Sequence, residues 1–286
     1  MKQRIITSIV GIPLVIVVLL FSDTVVMPFA LAVFCAVGEF EMLGCIGQRK
    51  RLEVAIPSIA FAAIVPFAAR YIVVFSERNS YFLAVFGVTA FIYMFYLMSL
   101  AVVSKGAKTI GDMALTASTA MYITVGFSSM VMLRDIKYNG NGFGFYLFIL
   151  IFIGAWIPDI AGYFCGRAFG KHKLIPDVSP KKTVEGAVGG VVFGAIGFVV
   201  FGIIIDALGL GEPKYLSLAI TGLVVAVVSI FGDLVASLIK RQYGIKDYGK
   251  LFPGHGGVMD RFDSIIAIAP FLLMICSHPD IFKLFG

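Results

Sequence analysis

Charge is what this sequence has least of. Only 14% of its 286 residues are Asp, Glu, Lys or Arg, where a soluble domain carries about a quarter. With 59% hydrophobic residues and a mean hydropathy of +0.98, the composition excludes an ordinary water-soluble globular domain. Cysteine is scarce as well. Cys35, Cys45, Cys165 and Cys276 stand far apart and form no Cys-x-x-Cys pair, which argues against a disulfide framework or a zinc site and reads as small apolar filler. There is no repeat of fixed period, no low-complexity tract and no soluble domain. The net charge of +6 and pI near 9.1 come without a basic, aromatic platform outside the apolar runs, so no nucleic-acid partner is expected.

What the chain does have is long apolar runs. A helix needs about 20 such residues to cross a hydrocarbon core of roughly 30 Å. Nine runs are candidates: Ile5–Phe21, Val25–Ile46, Val54–Phe75, Tyr81–Val103, Met113–Leu133, Phe143–Phe164, Val184–Ile205, Leu216–Ile239 and Phe262–Cys276. The first follows Lys2 and Arg4 like a secretory signal, but no small-x-small cleavage site follows it, and a retained span is expected. The fold class is therefore an all-α integral membrane protein, a polytopic bundle of about nine transmembrane helices.

Cations set the orientation. With the N-terminus cytoplasmic, 17 of the 23 lysines and arginines fall on the inner side, as the positive-inside rule requires of a multi-pass protein in the inner cell membrane. The same count puts two charged loops, residues 166–183 and 240–261, on the cytoplasmic side. Carboxylates and glycines accumulate from Asp112 onward. Residues 1–105 thus read as a transmembrane scaffold half and residues 106–286 as a catalytic half.

Ionisable residues inside spans are costly and therefore informative. Asp233, Ser237 and Lys240 share one helix face, a stripe leading from membrane depth to the second loop. Asp159 follows Pro158, which loosens the helix near its polar end. Glu39 and Glu41 lie near the end of the second run, where solvation of a carboxylate is expected, and the sequence leaves their role open. In the first charged loop, Gly170-Lys171 is not a P-loop: the glycine spacing is one residue short and His172 replaces the hydroxyl residue. Ser179, Lys181, Lys182 and Thr183, just before a helix, are suitable phosphate ligands, or else an ordinary positive-inside loop. Gly186, Gly190 and Gly194 recur every four residues and read as a close-packing ridge.

The second loop is the densest in chemistry. Gly254, Gly256 and Gly257 flank His255 and allow backbone amides to wrap a phosphate, with His255 as a further donor. Asp260 and Asp263 are hard oxygen ligands suited to Mg²⁺, and Arg261 can stabilise charge on a transferring phosphoryl group. Lys240, Arg241, Lys246 and Lys250 add phosphate grips.

At these residues the sequence resembles the phosphatidate cytidylyltransferases, the CDP-diacylglycerol synthases. Their signature is met at Ser237, Lys240, Arg241, Lys246, Asp247, Gly249, Phe252, Pro253, His255, Gly256, Gly257, Asp260, Arg261 and Asp263. The Asp159 segment and the Ser179–Gly186 loop extend the likeness to residues 156–263. The resemblance implies an enzyme that joins CTP to phosphatidic acid of the cytoplasmic leaflet, giving CDP-diacylglycerol and pyrophosphate. It further implies Mg²⁺ with a possible second cation, a homodimer, and Asp233 and Asp260 as metal ligands, with Asp159 and Asp263 as further candidates. Two other classes stay open. A CTP-dependent polyprenol or lipid kinase would use similar parts but transfer the γ-phosphate. A membrane transporter would explain carboxylates within spans but not a glycine-histidine phosphate loop.

Overall fold

The computed structural model describes residues 18–76, 79–105, 107–136, 142–254, 256–277 and 283–285, apart from the side chains of 72–83. His255 and the expected first span up to residue 17 lie outside them. Eight helices carry the described chain: α1 Val26–Cys45, α2 Leu52–Ser76, α3 Asn79–Val103, α4 Ile110–Asp135, α5 Gly144–Phe169, α6 Val184–Ala207, α7 Tyr215–Gln242 and α8 Met259–Cys276. The first seven are long and apolar enough to cross a membrane, in agreement with the runs read from the sequence. Helices are the form such runs must take, because a lipid-embedded backbone has to satisfy every N–H and C=O internally. Internal prolines at Pro57, Pro66, Pro158 and Pro270 do not end their helices. The helix α8 is not among the seven, because its 18 residues include three charges, Asp260, Arg261 and Asp263, at its start. A short element was not expected. Lys173–Ile175 (β1) and Ser179–Thr183 (β2) pair antiparallel, Lys173 opposite Thr183, within the first charged loop.

The chain forms two compact units. The first comprises residues 1–132 and 245–261. Its helices α1, α2 and α3 pack in sequence order. Cys35, Leu43, Leu97, Met113, Phe127 and Met130 are fully buried in it. Phe61 stacks on Tyr93 with ring centroids 4.6 Å apart, and the Tyr93 hydroxyl meets Ser58 Oγ at 2.6 Å. Val85, Val88, Phe91, Ile92 and Phe95 on α3 are exposed, as a lipid-facing side requires.

The second unit comprises residues 133–244 and 262–286. Here α6 packs against both α5 and α7, and the hairpin touches all three. Phe143 at the start of α5 stacks on Phe285 at 5.5 Å, and Lys214 N donates to Leu284 O at 2.9 Å, which fastens the chain end at the opposite end of α5 from the hairpin. The glycine ridge behaves as its spacing suggests. A Cβ on Gly190 would come 2.8 Å from Pro158 O, and one on Gly186 would come 2.6 Å from Gly162 O. The two helices therefore meet backbone to backbone, the contact that small residues allow in membranes.

Candidate active site

The close approach of α5 and α6 places a pocket where they meet the hairpin. Thr183 organises it: its Oγ1 accepts the Gly186 N–H at 3.1 Å and caps α6. Gly166 makes room for this cap, since a Cβ there would come 2.8 Å from Thr183 Oγ1. The hairpin base is tied to α6 by His172, whose Nδ1 lies 2.7 Å from Glu185 Oε1, and Lys173 Nζ donates to Pro180 O at 2.7 Å. The resulting cavity, about 350 Å³, is lined by Asp159, Arg167, Ser179, Lys181, Lys182 and Thr183 among others. Five residues expected from the sequence to serve chemistry thus come together here. Three cations beside one carboxylate suit an anionic, metal-associated ligand such as a phosphate chain.

Below the pocket lies a cluster of carboxylates. Lys182 Nζ, itself enclosed although its side chain is about a quarter exposed, forms an ion pair with Asp233 Oδ2, whose side chain is likewise about a quarter exposed. Asp159 is within electrostatic reach of Lys182 and Asp233. Asp263 in turn feels Asp233, Lys240 and Asp159. The stripe of Asp233 and Lys240 read from the sequence therefore meets Asp263 on α8. Gly232 permits this: a Cβ there would lie 2.7 Å from Ala267 Cβ and 3.1 Å from Asp263 O. Asp263 Oδ1 accepts its neighbour's amide, Ser264 N, at 2.8 Å, and Ser264 Oγ donates to Ser229 O at 3.2 Å across the same helix contact. Three carboxylates thus face two lysine ammoniums. Among the described residues no three Asp, Glu, His or Cys side chains close into a metal cage.

The signature loop of the first unit is held by its own hydrogen bonds. Asp260 Oδ2 accepts the amides of Tyr248 at 2.8 Å and Gly257 at 3.0 Å. Phe252 N donates to Gly256 O at 2.9 Å, closing a turn in which Gly254 and Gly256 take φ of 78° and 88°. Those left-handed values explain both glycines. Gly257 has a different reason: a Cβ there would collide with the Glu41 carboxylate, and so would one on Gly249. Glu41 and Glu39 are not solvated, contrary to the sequence expectation. They are 5% and 0% exposed. Glu41 Oε2 accepts the Met259 amide at 3.0 Å, whereas neither Glu39 oxygen has a hydrogen-bond partner. Two residues apart on α1, they point to nearly opposite sides and both sides are enclosed, which the position of a residue near a span end does not reveal.

The remaining candidates are less constrained. Arg241 Nε reaches Val178 O at 3.5 Å and links the end of α7 to the hairpin tip. Lys246 and Lys250 are exposed on the loop. Arg261 N donates to Val258 O at 3.0 Å as the chain enters α8.

A family model described as the cytidylyltransferase family matches residues 2–278. The chain belongs to the cytidylyltransferase family. Several relatives within the family cover nearly its full length. The phosphatidate cytidylyltransferase of Bacillus subtilis (strain 168) is 31% identical over 279 residues, 96% of this chain and 97% of the relative. That of Staphylococcus haemolyticus (strain JCSC1435) is 32% identical over 277 residues, 95% and 97% of the two chains. That of Staphylococcus aureus (strain COL) is 28% identical over 274 residues, again 95% and 97%. Membership agrees with the resemblance read from the signature residues and extends it into the N-terminal half, where the sequence alone showed only hydrophobicity.

Proposed function

We propose that this membrane-embedded cytidylyltransferase joins CTP to phosphatidate, forming CDP-diacylglycerol and pyrophosphate. The observation that carries the reading is the join between the cationic pocket and the Asp159, Asp233 and Asp263 cluster beneath it. A phosphatidate oxygen attacks the α-phosphorus of CTP, a new P–O–P bond forms, and the bond to the β-phosphate breaks with pyrophosphate leaving. Lys181, Lys182 and Arg167 hold phosphate oxygens, Ser179 adds a hydroxyl donor, and Lys240 offsets the carboxylates. The lipid's place is supported by an apolar groove of about 330 Å³ between α6 and α7, which shares Leu174, Ala187 and Ile230 with the cationic pocket. It runs from the charged ends of the helices into the spans, the course an acyl chain takes when its phosphate sits at the interface.

Mg²⁺ fits the donor set. Hard carboxylate oxygens, partly exposed and not closed into a cage, suit an ion that keeps waters and binds substrate phosphates through one or two carboxylates. Asp233 is its proposed ligand together with Asp260, the latter assigned from the family signature, with Asp159 and Asp263 available to it or to a second cation. When bound, the ion neutralises triphosphate charge. The active site is proposed to face the cytoplasm, on the distribution of cations along the chain, and the enzyme to be a homodimer, on the family resemblance. Purified protein given CTP, phosphatidate and Mg²⁺ is expected to release pyrophosphate and CDP-diacylglycerol, and Asp260→Ala to abolish both while still inserting. Release of CDP with a phosphorylated lipid would instead identify a kinase.

A further inference from the structure

Glu41 is the one carboxylate of α1 whose neighbours explain its burial. Its Oε2 accepts the Met259 amide at 3.0 Å, and the Val258 amide also donates to it. Gly249 and Gly257 both lack the side chain that would strike its carboxylate, at Oε1 from Gly249 and at both oxygens from Gly257. One residue beyond Met259, Asp260 grips the same loop through the amides of Tyr248 and Gly257, and it lies within electrostatic reach of Glu41. A carboxylate enclosed in a membrane span is costly unless hydrogen bonds compensate it. Here the compensation comes entirely from the signature loop, more than 200 residues away in sequence. An ionised carboxylate is an acceptor only, so converging amides suit it better than an amide side chain, which must also find acceptors for its NH₂.

We infer that Glu41 is a positioning residue for the transfer reaction, acting through the backbone of residues 257–259 to hold Asp260 and the adjoining glycine turn in place. The inference rests on the proposed reaction for the activity it serves, but the contact itself does not. It also gives Gly249 a reason: the residue is small because Glu41 occupies the space beside it. Gly249 does not adopt a left-handed φ, so alanine there meets a steric obstacle and no backbone one.

The test uses the full chain, purified as wild type, Glu41→Gln, Glu41→Ala, Gly249→Ala and the double variant Glu41→Ala/Gly249→Ala. Each is assayed for CDP-diacylglycerol formation and, separately, for the rate of tryptic cleavage after Lys246 and Lys250. Loss of the clamp should lower kcat by about 10- to 100-fold in Glu41→Ala, the scale expected for a reacting group displaced by up to an ångström. Glu41→Gln, which retains one carbonyl acceptor, should stay within about 5-fold of wild type. Gly249→Ala should be impaired about as much as Glu41→Ala, and the double variant no further, because removing the carboxylate vacates the space the new methyl needs. Cleavage should accelerate in Glu41→Ala and in Gly249→Ala. Multiplying losses in the double variant, or wild-type kcat and cleavage in Glu41→Ala, overturn the inference. If Glu41→Ala does not fold, Gly249→Ala decides it, and wild-type kcat and cleavage in that variant overturn the inference. If the wild type makes no CDP-diacylglycerol, the reaction is wrong, and the cleavage rates alone judge the clamp.

Discussion

Gly232 is the position where one methyl group should separate packing from catalysis. The Cβ of an alanine there would lie 2.7 Å from Ala267 Cβ, 3.1 Å from Asp263 O and 3.2 Å from Ser264 Cα. Carbon atoms rest at about 3.5 to 4.0 Å, so α7 and α8 must part locally by about 1 Å. The backbone of Asp263 is among the atoms pushed, and its carboxylate is the one that faces Asp233 and Lys240. Overpacking of this kind costs about 1–3 kcal/mol in stability, while a 1 Å misplacement of reacting groups costs on the order of 100-fold in rate. Gly232→Ala is therefore expected to lower kcat by about 10- to 100-fold with a smaller relative loss of thermal stability. The assay is CDP-diacylglycerol formation in detergent micelles beside a melting curve on the same preparation. Gly87→Ala is the control, because a Cβ there meets nothing within 4 Å and alanine is favoured over glycine within a helix by about 0.5–1 kcal/mol. Full activity in Gly232→Ala, or equal losses in both variants, would refute the reasoning.

Other outcomes follow from the same geometry. Thr183→Val removes the cap of α6 and should cost about 1 kcal/mol of stability, whereas Thr183→Ser should restore it; melting curves of the two variants check this. Lys182→Met removes a cation that holds phosphate and that competes with a metal for Asp233, so it should slow turnover at least 10-fold while lowering the Mg²⁺ concentration needed for half-maximal rate; a metal titration measures it. Removing divalent ions with a chelator should stop pyrophosphate release without unfolding the protein, since among the described residues the helices are held by packing and no metal cage ties them; added Mg²⁺ should restore it.

The spans were legible because the bilayer imposes a length of apolar sequence that few other structures need, and the seven long helices follow those runs closely. Asp233 and Lys240 on one stripe, and the Gly186, Gly190 and Gly194 ridge, were legible because helix periodicity is local. Other features depend on distant partners and have no local signal. Glu41 becomes enclosed through Met259, Gly249 and Gly257. Gly232 matters because Ala267 packs on it, although along the chain it is only another small residue in a span. The β1–β2 hairpin was hidden because strands of three and five residues lie within a segment whose lysines, prolines and glycines read as loop. The charges at the start of α8 were visible. That they distinguish this helix from the seven long apolar ones follows from its start at Met259, before the apolar run begins.

The central claim is cytidylyl transfer onto a lipid phosphate, and the position of the label in CTP tests it most directly. With CTP labelled at the α-phosphate and phosphatidate in mixed micelles, the label is predicted to enter the lipid in step with release of unlabelled pyrophosphate. With CTP labelled at the γ-phosphate, none should enter the lipid and all should leave as pyrophosphate. Entry of the γ-label into lipid, with the α-label retained in CDP, would contradict it.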